Sequence, residues 1–171
     1  MKFEDIYRAV APGLTNYLVG SGSSYPVACD IVQETFLRLW KRRDELEDDL
    51  RMVRGLAYTI ARNRRIDLLR RDRHEVLQEE ITDATARIDR EISSPLSFSR
   101  PGEAEDENAA LRRKLNAALA RLPPILREAF TLFQLGELSI REIAWQTQAS
   151  ETNVKVRIHR AKAKLREMLK S

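Results

Sequence analysis

The chain has little of what builds disulfide-bonded, zinc-binding or membrane-spanning proteins. Its 171 residues include one cysteine, Cys29, so an internal disulfide is excluded. Two histidines that lie far apart, without a Cys-x-x-Cys motif, argue against a structural zinc site. No apolar run approaches the ~20 residues that a bilayer span requires, and the first residues contain no apolar signal core. These absences predict a soluble, cytoplasmic protein with no membrane insertion.

Glycine is also scarce, with six residues, whereas hydrophobic residues make up 43% and charged residues 33% of the chain. A helix-forming composition with so few glycines predicts an all-α fold. Catalytic patterns are missing as well: the sequence has no phosphate-binding loop and no Cys–His or Ser–His–Asp arrangement with supporting context. We therefore predict no catalytic residues, no metal site, no cofactor and no enzymatic activity.

Charge is distributed unevenly along the chain. Residues 1–75 carry 14 basic and 12 acidic side chains, residues 76–110 carry 3 and 9, and residues 111–171 carry 13 and 5. The middle segment is rich in serine, proline and acidic residues, so it cannot bury enough apolar surface to fold alone. This pattern predicts two small helical domains, 1–75 and 111–171, joined by a flexible acidic linker at 76–110.

The end of the chain has the pattern of a helix-turn-helix. Ser139-Ile-Arg-Glu142 matches a Ser-x-x-Glu capping box, and Ser150 offers a second N-cap before a basic segment. Lys155 lies near the start of that segment, where the helix dipole disfavours a cation by roughly 0.3–1 kcal/mol. The segment has apolar residues at helical spacing: Val154, Ile158, Ala161, Leu165 and Met168. Caps, spacing and charge together favour a DNA recognition helix over an ordinary solvated face.

Two more helices are predicted in the C-terminal domain, at 111–122 and from Ile125 to about Leu135. Gly136 is expected to end the second as its C′ residue. The inward side of the second helix is predicted to consist of Ile125, Ala129, Leu132 and Phe133. The domain therefore has four helices, of which the last two form the helix-turn-helix.

Three helices are predicted in the N-terminal domain, at 3–19, about 26–42 and about 51–73. On the second, a helical wheel places an apolar set on one side: Cys29, Val32, Phe36, Leu39 and Trp40. The same wheel leaves Leu37 among Asp30, Gln33 and Glu34. An exposed leucine is common, so an unremarkable surface is one interpretation. The other is the apolar centre of a docking patch for a basic partner surface.

One side of the third helix carries a basic stripe with an aromatic residue in it: Arg51, Arg54, Tyr58, Arg62 and Arg65. Arginines bind phosphates, and an aromatic ring offers a stacking platform worth about 1–3 kcal/mol per unstacked base. The stripe therefore favours nucleic-acid binding. The alternative is a solvated arginine face with Tyr58 partly buried.

Four motifs, in order and over nearly the whole chain, closely resemble the two-domain bacterial sigma factors of the extracytoplasmic-function (ECF) group. They are carried by Asp30–Trp40, Tyr58–Asp67, Leu122–Pro124, and Glu142–Ala144 with Val154–Ala161. The resemblance implies a sigma region 2-like bundle, a region 4-like helix-turn-helix domain and a role in transcription initiation. It also implies three partners: the core of bacterial RNA polymerase (beta-prime clamp and beta flap), promoter DNA and an anti-sigma factor.

The resemblance further implies roles for individual residues. Core polymerase would be bound by Asp30, Gln33, Glu34, Leu37 and Arg38. The acidic loop and third helix would capture a flipped base of the minus-ten element, through Arg51, Arg54, Tyr58, Arg62, Asn63 and Arg65. In the second domain, Lys155, Val156, His159 and Arg160 would face base edges of the minus-thirty-five element, and Arg141 and Arg157 would contact phosphates.

The chain departs from the family pattern at two positions. The family usually has a glycine in the helix-turn-helix turn, where this chain has Gln148, so either a non-glycine residue is left-handed there or the turn differs. An acidic residue often precedes the aspartate of the docking helix, where this chain has Cys29. That difference would weaken core binding, although the wheel places Cys29 on the apolar side.

Two other functions remain open from the sequence. A stand-alone helix-turn-helix regulator would bind duplex promoter DNA tightly without polymerase, whereas a sigma factor needs core enzyme for specific binding. A nucleic-acid enzyme, or its accessory subunit, would use Glu45, Asp48 and Asp49 as metal ligands.

Overall fold

A computed structural model of the chain describes residues 1–78 and 107–170, and every regular element in these ranges is helical. The elements are α1 (Phe3–Gly20), α2 (Tyr25–Lys41), a 3-10 turn (Arg43–Glu45), α3 (Leu50–Gln78), α4 (Glu107–Ala120), α5 (Pro124–Phe130) with a π-helical continuation (Thr131–Leu135), α6 (Ile140–Thr147) and α7 (Glu151–Lys170). The predicted all-α fold is confirmed. Most of the predicted linker lies outside the described residues. Among those described, no helix is both long and apolar enough to span a bilayer.

Helices α1, α2 and α3 pack against one another and form the N-terminal unit. Ser24 caps α2 by accepting a hydrogen bond from the backbone N–H of Val27 at 3.4 Å, and Pro26 follows in the first turn, where its missing N–H is tolerated. The centre of the unit consists of fully buried side chains: Leu14, Leu18, Ile31, Leu39 and Val53.

Helix α7 is the centre of the C-terminal unit, because α4, α5 and α6 all pack against it. Both predicted N-caps are confirmed: Ser139 Oγ accepts from the Glu142 N–H at 3.1 Å, and Ser150 Oγ accepts from the Asn153 N–H at 3.1 Å. The buried side of α7 consists of Val154, Ile158, Ala161 and Leu165. The predicted helical spacing of these residues therefore describes the packed face correctly.

Two side chains predicted to point inward are exposed. Trp40 is 46% exposed: its ring makes an edge-to-face contact with that of Phe3, with ring centroids 5.1 Å apart, and the Arg43 guanidinium covers it at 4.1 Å from the ring centroid. Ile125 is 58% exposed, because it lies in the first turn of α5, next to Pro124. In both cases the residue lies near the end of a helix, where neighbouring helices no longer cover the apolar side.

Gly136 ends the α5 segment, but not as the left-handed C′ residue that the sequence predicted. Its φ is −84°, so it is not left-handed, and the residue with positive φ is Glu137 at 59°. A Cβ on Gly136 would lie 2.9 Å from the Leu132 carbonyl oxygen and 3.0 Å from Tyr58 Cε1. Glycine is needed here because the ring of Tyr58 packs directly on the backbone.

Gln148 does adopt the left-handed conformation at the end of α6, with φ 54° and ψ 43°. Left-handed backbone costs a residue with a Cβ about 1–2 kcal/mol, whereas glycine adopts it freely. We expect Gln148→Gly to raise the free energy of unfolding by about 0.5–1 kcal/mol, measured by urea denaturation.

The matched control for this substitution is Gln134→Gly. Gln134 is also exposed, but it lies in the helical segment after α5 and its φ is not positive. There glycine should lower the free energy of unfolding by about 0.5–1 kcal/mol, because it is a poor helix former. Equal losses from the two substitutions would contradict strain at Gln148.

The two units are in contact and share one apolar core. The main cluster of buried residues contains side chains of α1, α2 and α3 together with Ala129, Leu132, Leu138, Ile143, Ala144, Val154 and Ile158 from the C-terminal unit. A second, smaller cluster lies within the C-terminal unit, around Leu119, Leu122 and Leu165. The sequence predicted two units with a linker between them, and the structure adds that they are packed together.

Candidate nucleic-acid interface

The basic face of α7 is open. Lys155, Val156, His159 and Arg160 are all exposed, and their positions repeat at intervals of one and four residues, which places them along one side of the helix. Arg157 is half-buried, and Arg141 is exposed on α6, the first helix of the pair. The opposite side of α7 is buried against α4, α5 and α6. The exposed side of α7 therefore carries hydrogen-bond donors, and its buried side holds the helix in place.

Helix α2 carries an exposed leucine among polar residues. Leu37 is 60% exposed, and Asp30, Gln33 and Arg38 are exposed as well. Glu34 is half-buried, and it accepts hydrogen bonds from Arg38 and from Arg64 of α3, each at 2.9 Å. The predicted core-binding residues thus form one accessible patch with an apolar centre.

The basic stripe on α3 is largely covered by the C-terminal unit. Arg51 and Asn63 are exposed and Arg54 is half-buried, but only 1% of Tyr58 is accessible. The Tyr58 hydroxyl donates to the Gly136 carbonyl oxygen at 2.8 Å. Tyr58 therefore has no free ring face on which a base could stack in this arrangement.

Glu128 of α5 binds the other two arginines of the stripe. Its Oε1 accepts from Arg62 Nε at 2.8 Å, and its Oε2 accepts from Arg65 Nη2 at 2.7 Å. The Tyr17 hydroxyl, from α1, donates to Glu128 Oε1 at 2.8 Å and accepts from Arg65 Nη2 at 3.2 Å. One carboxylate therefore holds three side chains of the N-terminal unit.

Burial shifts the pKa values of three side chains at the contact between the units. It raises the pKa of Tyr17 above the ordinary tyrosine value, and the adjacent Glu128 carboxylate adds to the rise. Burial also raises the pKa of Tyr58. Burial, together with the nearby Arg65 cation, lowers the pKa of Arg127 to about 10, although the Glu128 charge opposes the change. Both tyrosines therefore stay neutral near pH 7 and can donate the hydrogen bonds described.

Two further residues hold the units together. Arg127 Nε donates to the carbonyl oxygen of Gly20, at the end of α1, at 2.7 Å. Gln146 of α6 is 8% exposed, and its Nε2 lies 3.0 Å from the Gly55 carbonyl oxygen and 2.9 Å from Thr59 Oγ1. The contact between units is thus a combination of apolar packing and directed hydrogen bonds.

Comparison with known families agrees with this arrangement. Residues 6–75 match the family model of Sigma-70 region 2, and residues 112–165 match that of Sigma-70, region 4. The chain is 34% identical over 167 residues to RNA polymerase sigma factor CarQ of Myxococcus xanthus, covering 98% of this chain and 88% of CarQ. It is 32% identical over 165 residues to ECF RNA polymerase sigma factor RpoE of Cereibacter sphaeroides, covering 96% and 84%.

The chain belongs to the ECF group of the sigma-70 family. The resemblance noted from its motifs is therefore confirmed. Sigma factors are DNA-binding transcription initiation factors and not enzymes. In fold, this sigma factor is similar to RpoE of Bartonella quintana, solved in complex with the anti-sigma factor NepR, at a TM-score of 0.71 and 22% identity over 98% of this chain and 96% of that one.

Four residues of the contact between the units of this sigma factor were not predicted from its sequence: Tyr17, Arg127, Glu128 and Gln146. A signal for Glu128 was present: it lies three residues after Ile125 and four before Leu132, on the side of the helix that was expected to be apolar. A carboxylate in that position indicates a buried partner. Nothing in the local sequence indicates that the partners are Arg62 and Arg65.

The acidic loop before α3 does not gather its carboxylates into one site. Asp48 lies 3.0 Å from the amino group of Met1, Glu45 pairs with Arg42 at 3.2 Å, and Asp49 accepts from the Arg51 N–H at 3.0 Å. Within the described parts of the sigma factor, no group of three His, Cys, Asp or Glu side chains could hold a metal ion.

We expect Tyr58→Phe to lower the free energy of unfolding of this sigma factor by about 1–3 kcal/mol, because it leaves the buried Gly136 carbonyl oxygen without its donor. Urea denaturation measures the change. Tyr7→Phe is the matched control: Tyr7 is 46% exposed, so its loss should stay within about 0.5 kcal/mol. Equal effects would show that the Tyr58 hydrogen bond contributes nothing.

Proposed function

We propose that the two units divide promoter recognition between them. Residues 1–75 act as the region 2-like domain, which binds core polymerase and the minus-ten element, and residues 111–171 act as the region 4-like domain, which binds the minus-thirty-five element. Residues 76–110 connect the two. The observation that supports this division most is that an accessible recognition face on α7 and an accessible leucine-centred patch on α2 lie on different units of one chain.

In the C-terminal unit, Lys155, Val156, His159 and Arg160 face base edges in the major groove. A bidentate contact to a base discriminates against the wrong base by roughly 1–3 kcal/mol. Arg141, which is exposed on α6, and Arg157, which is half-buried on α7, contact phosphates, which adds affinity without sequence information. The burial of Val154 and Ile158 supports this assignment, because it keeps the opposite side of α7 outward.

In the N-terminal unit, Asp30, Gln33, Glu34, Leu37 and Arg38 bind core polymerase at the beta-prime clamp, and the C-terminal unit binds the beta flap. The minus-ten element is bound by Arg51, Arg54, Tyr58, Arg62, Asn63 and Arg65. Arginines supply phosphate contacts, and extruding a base costs a few kcal/mol that other contacts in the complex must offset. Of this set, Arg51 and Asn63 are exposed as the structure stands.

An anti-sigma factor is a further partner that we propose. A protein of similar fold, the RpoE of Bartonella quintana, was solved in complex with the anti-sigma factor NepR. We place the protein in the cytoplasm, where the polymerase and the chromosome are. The chain has no catalytic activity of its own, because it alters where polymerase starts and leaves nucleotide addition to the core enzyme.

Run-off transcription tests this function. Purified chain and bacterial core polymerase are mixed with genomic DNA fragments, and the transcripts are mapped to their start sites. We expect discrete start sites that depend on the chain, preceded by a shared pair of sequence elements. The chain should also bind core polymerase at moderate salt. Tight, specific binding to duplex promoter DNA without polymerase, and no transcripts with it, would instead favour a stand-alone helix-turn-helix regulator.

A further inference from the structure

Lys162 of α7 is held by a residue from another part of the chain. Lys155 and Lys164 of the same helix are exposed, whereas Lys162 is half-buried and its Nζ lies 5.3 Å from the centre of the Phe133 ring. A cation over an aromatic ring is attracted by the negative charge of the ring face. Phe133 follows α5 and packs against the main apolar cluster, so the ring is itself held in place. The Lys162 ammonium is therefore restrained from outside its own helix.

The ring restrains the Lys162 ammonium without neutralising it. Within residues 1–78 and 107–170, Lys162 forms no ion pair with an acidic side chain. An ammonium group carries three N–H donors, and a ring face engages only the side of the group that meets it. The other side keeps its full charge and its donors. Lys162 can therefore bind an anion while its side chain stays against Phe133.

The position of Lys162 around α7 matches the wall of a DNA groove. At about 100° per residue, Lys162 lies roughly 90° from the centre of the exposed face formed by Lys155, Val156, His159 and Arg160. The major groove is about 12 Å wide and a helix with its side chains is about 10–12 Å across, so the helix fills the groove. When the exposed face meets base edges, a side chain roughly 90° away meets the sugar-phosphate backbone beside the helix.

We propose that Lys162 binds a phosphate at the edge of the major groove, and that Phe133 is the residue that positions it. The proposal rests on the proposed function, because it assumes that α7 enters the groove. It adds a contact beyond the predicted set and gives the segment after α5 a part in DNA binding. Holding a long lysine side chain in place before DNA arrives reduces the conformational entropy that is lost on binding.

Lys162→Met tests the phosphate contact in the full chain. Non-specific binding to a mixed-sequence DNA duplex reports phosphate contacts without requiring a known promoter. Methionine keeps an apolar stem at this position but carries no charge. The loss of one contact should flatten the slope of log K against log salt by about 0.9 and weaken binding by about 5- to 15-fold at about 50 mM salt. Lys162→Arg should stay within about twofold of the parent chain, because a guanidinium also stacks on aromatic rings.

Lys114→Met is the matched control for Lys162→Met. Lys114 is an exposed lysine of α4, the helix that packs on the buried side of α7. Its substitution removes the same charge from the same unit, but away from the groove. We expect the salt slope to be unchanged and the DNA affinity to stay within about twofold, because salt screens charges that do not touch the DNA.

Phe133→Leu tests the positioning role. Leucine keeps an apolar side chain but offers no aromatic face, so DNA binding should weaken by about two- to fivefold while the salt slope stays the same. In a Lys162→Met background the same substitution should have no further effect, because no cation is left to position. A purely structural role of Phe133 would instead weaken binding equally in both backgrounds. Circular dichroism and urea denaturation check folding, and if Phe133→Leu unfolds, Lys162→Met and Lys162→Arg decide.

Three results would overturn the proposal. They are a salt slope of Lys162→Met equal to that of Lys114→Met, an equal loss from Phe133→Leu in both backgrounds, and no duplex binding by the parent chain. Run-off transcription by the parent chain with core polymerase reports the proposed function separately. Transcripts that depend on the chain, together with any of these three results, would leave the proposed function in place and remove only the roles of Lys162 and Phe133.

Discussion

Leu37→Asp is expected to lower the affinity of the chain for core RNA polymerase by about 30-fold or more. Leu37 is 60% exposed at the centre of the α2 patch, which is where residues that dominate binding energy usually lie. An aspartate at that position would place an unpaired carboxylate in a desolvated contact, and losses of 2 kcal/mol or more are common for such centres. Fluorescence anisotropy with labelled chain and core enzyme measures the affinity.

The control for Leu37→Asp is Val27→Asp on the same helix. Val27 is also apolar and 40% exposed, but it lies in the first turn of α2, outside the predicted patch. An aspartate there is compatible with the helix dipole and should leave core binding within about twofold. Equal losses from both substitutions would contradict a specific role for Leu37.

Arg160→Ala is expected to reduce promoter-specific transcription by roughly 5- to 150-fold, with core binding unchanged. This range corresponds to the loss of one base contact worth about 1–3 kcal/mol. Lys155→Ala should have an effect in the same range, because its side chain is exposed on the same face of α7. Run-off transcription at fixed holoenzyme concentration measures both, on a promoter identified by start-site mapping.

Arg166→Ala provides the matched control for Arg160→Ala. Arg166 is basic and exposed on the same helix, nearly two turns nearer the C-terminus and outside the predicted set. Its loss should change transcription by no more than about twofold, apart from a small uniform effect of reduced charge. If Leu37→Asp, Lys155→Ala and Arg160→Ala all lost core binding and transcription equally, misfolding would be the simpler account.

Much of the local structure could be predicted because its determinants lie within a few residues. The Ser139 and Ser150 caps act on N–H groups three residues ahead, and the two sides of α7 follow from a 3.6-residue period. At Gln148 the sequence left two possibilities, a left-handed residue or a different turn, and the structure shows the first. The family motifs could also be recognised from the sequence, because each consists of short stretches of helix or turn.

Errors arose where a prediction depended on neighbours that are distant in sequence. Trp40 and Ile125 were predicted from helical spacing to lie on apolar sides, and both are exposed, because spacing within one helix does not show where its neighbours end. Gly136 was expected to supply a left-handed residue, and its requirement is instead set by the ring of Tyr58, 78 residues earlier. In each case the missing information was which element packs on which.

The sequence by itself determined that the protein is helical, where most helices begin and end, that its last helix is basic, and to which family it belongs. The tertiary structure decided whether those surfaces are free. Arg62 and Arg65 lie on a basic stripe by helical spacing alone, but their pairing with Glu128 joins positions more than 60 residues apart. The physical reason is one of range: caps and periodicity act within a turn of helix, whereas burial and ion pairing depend on how whole helices meet.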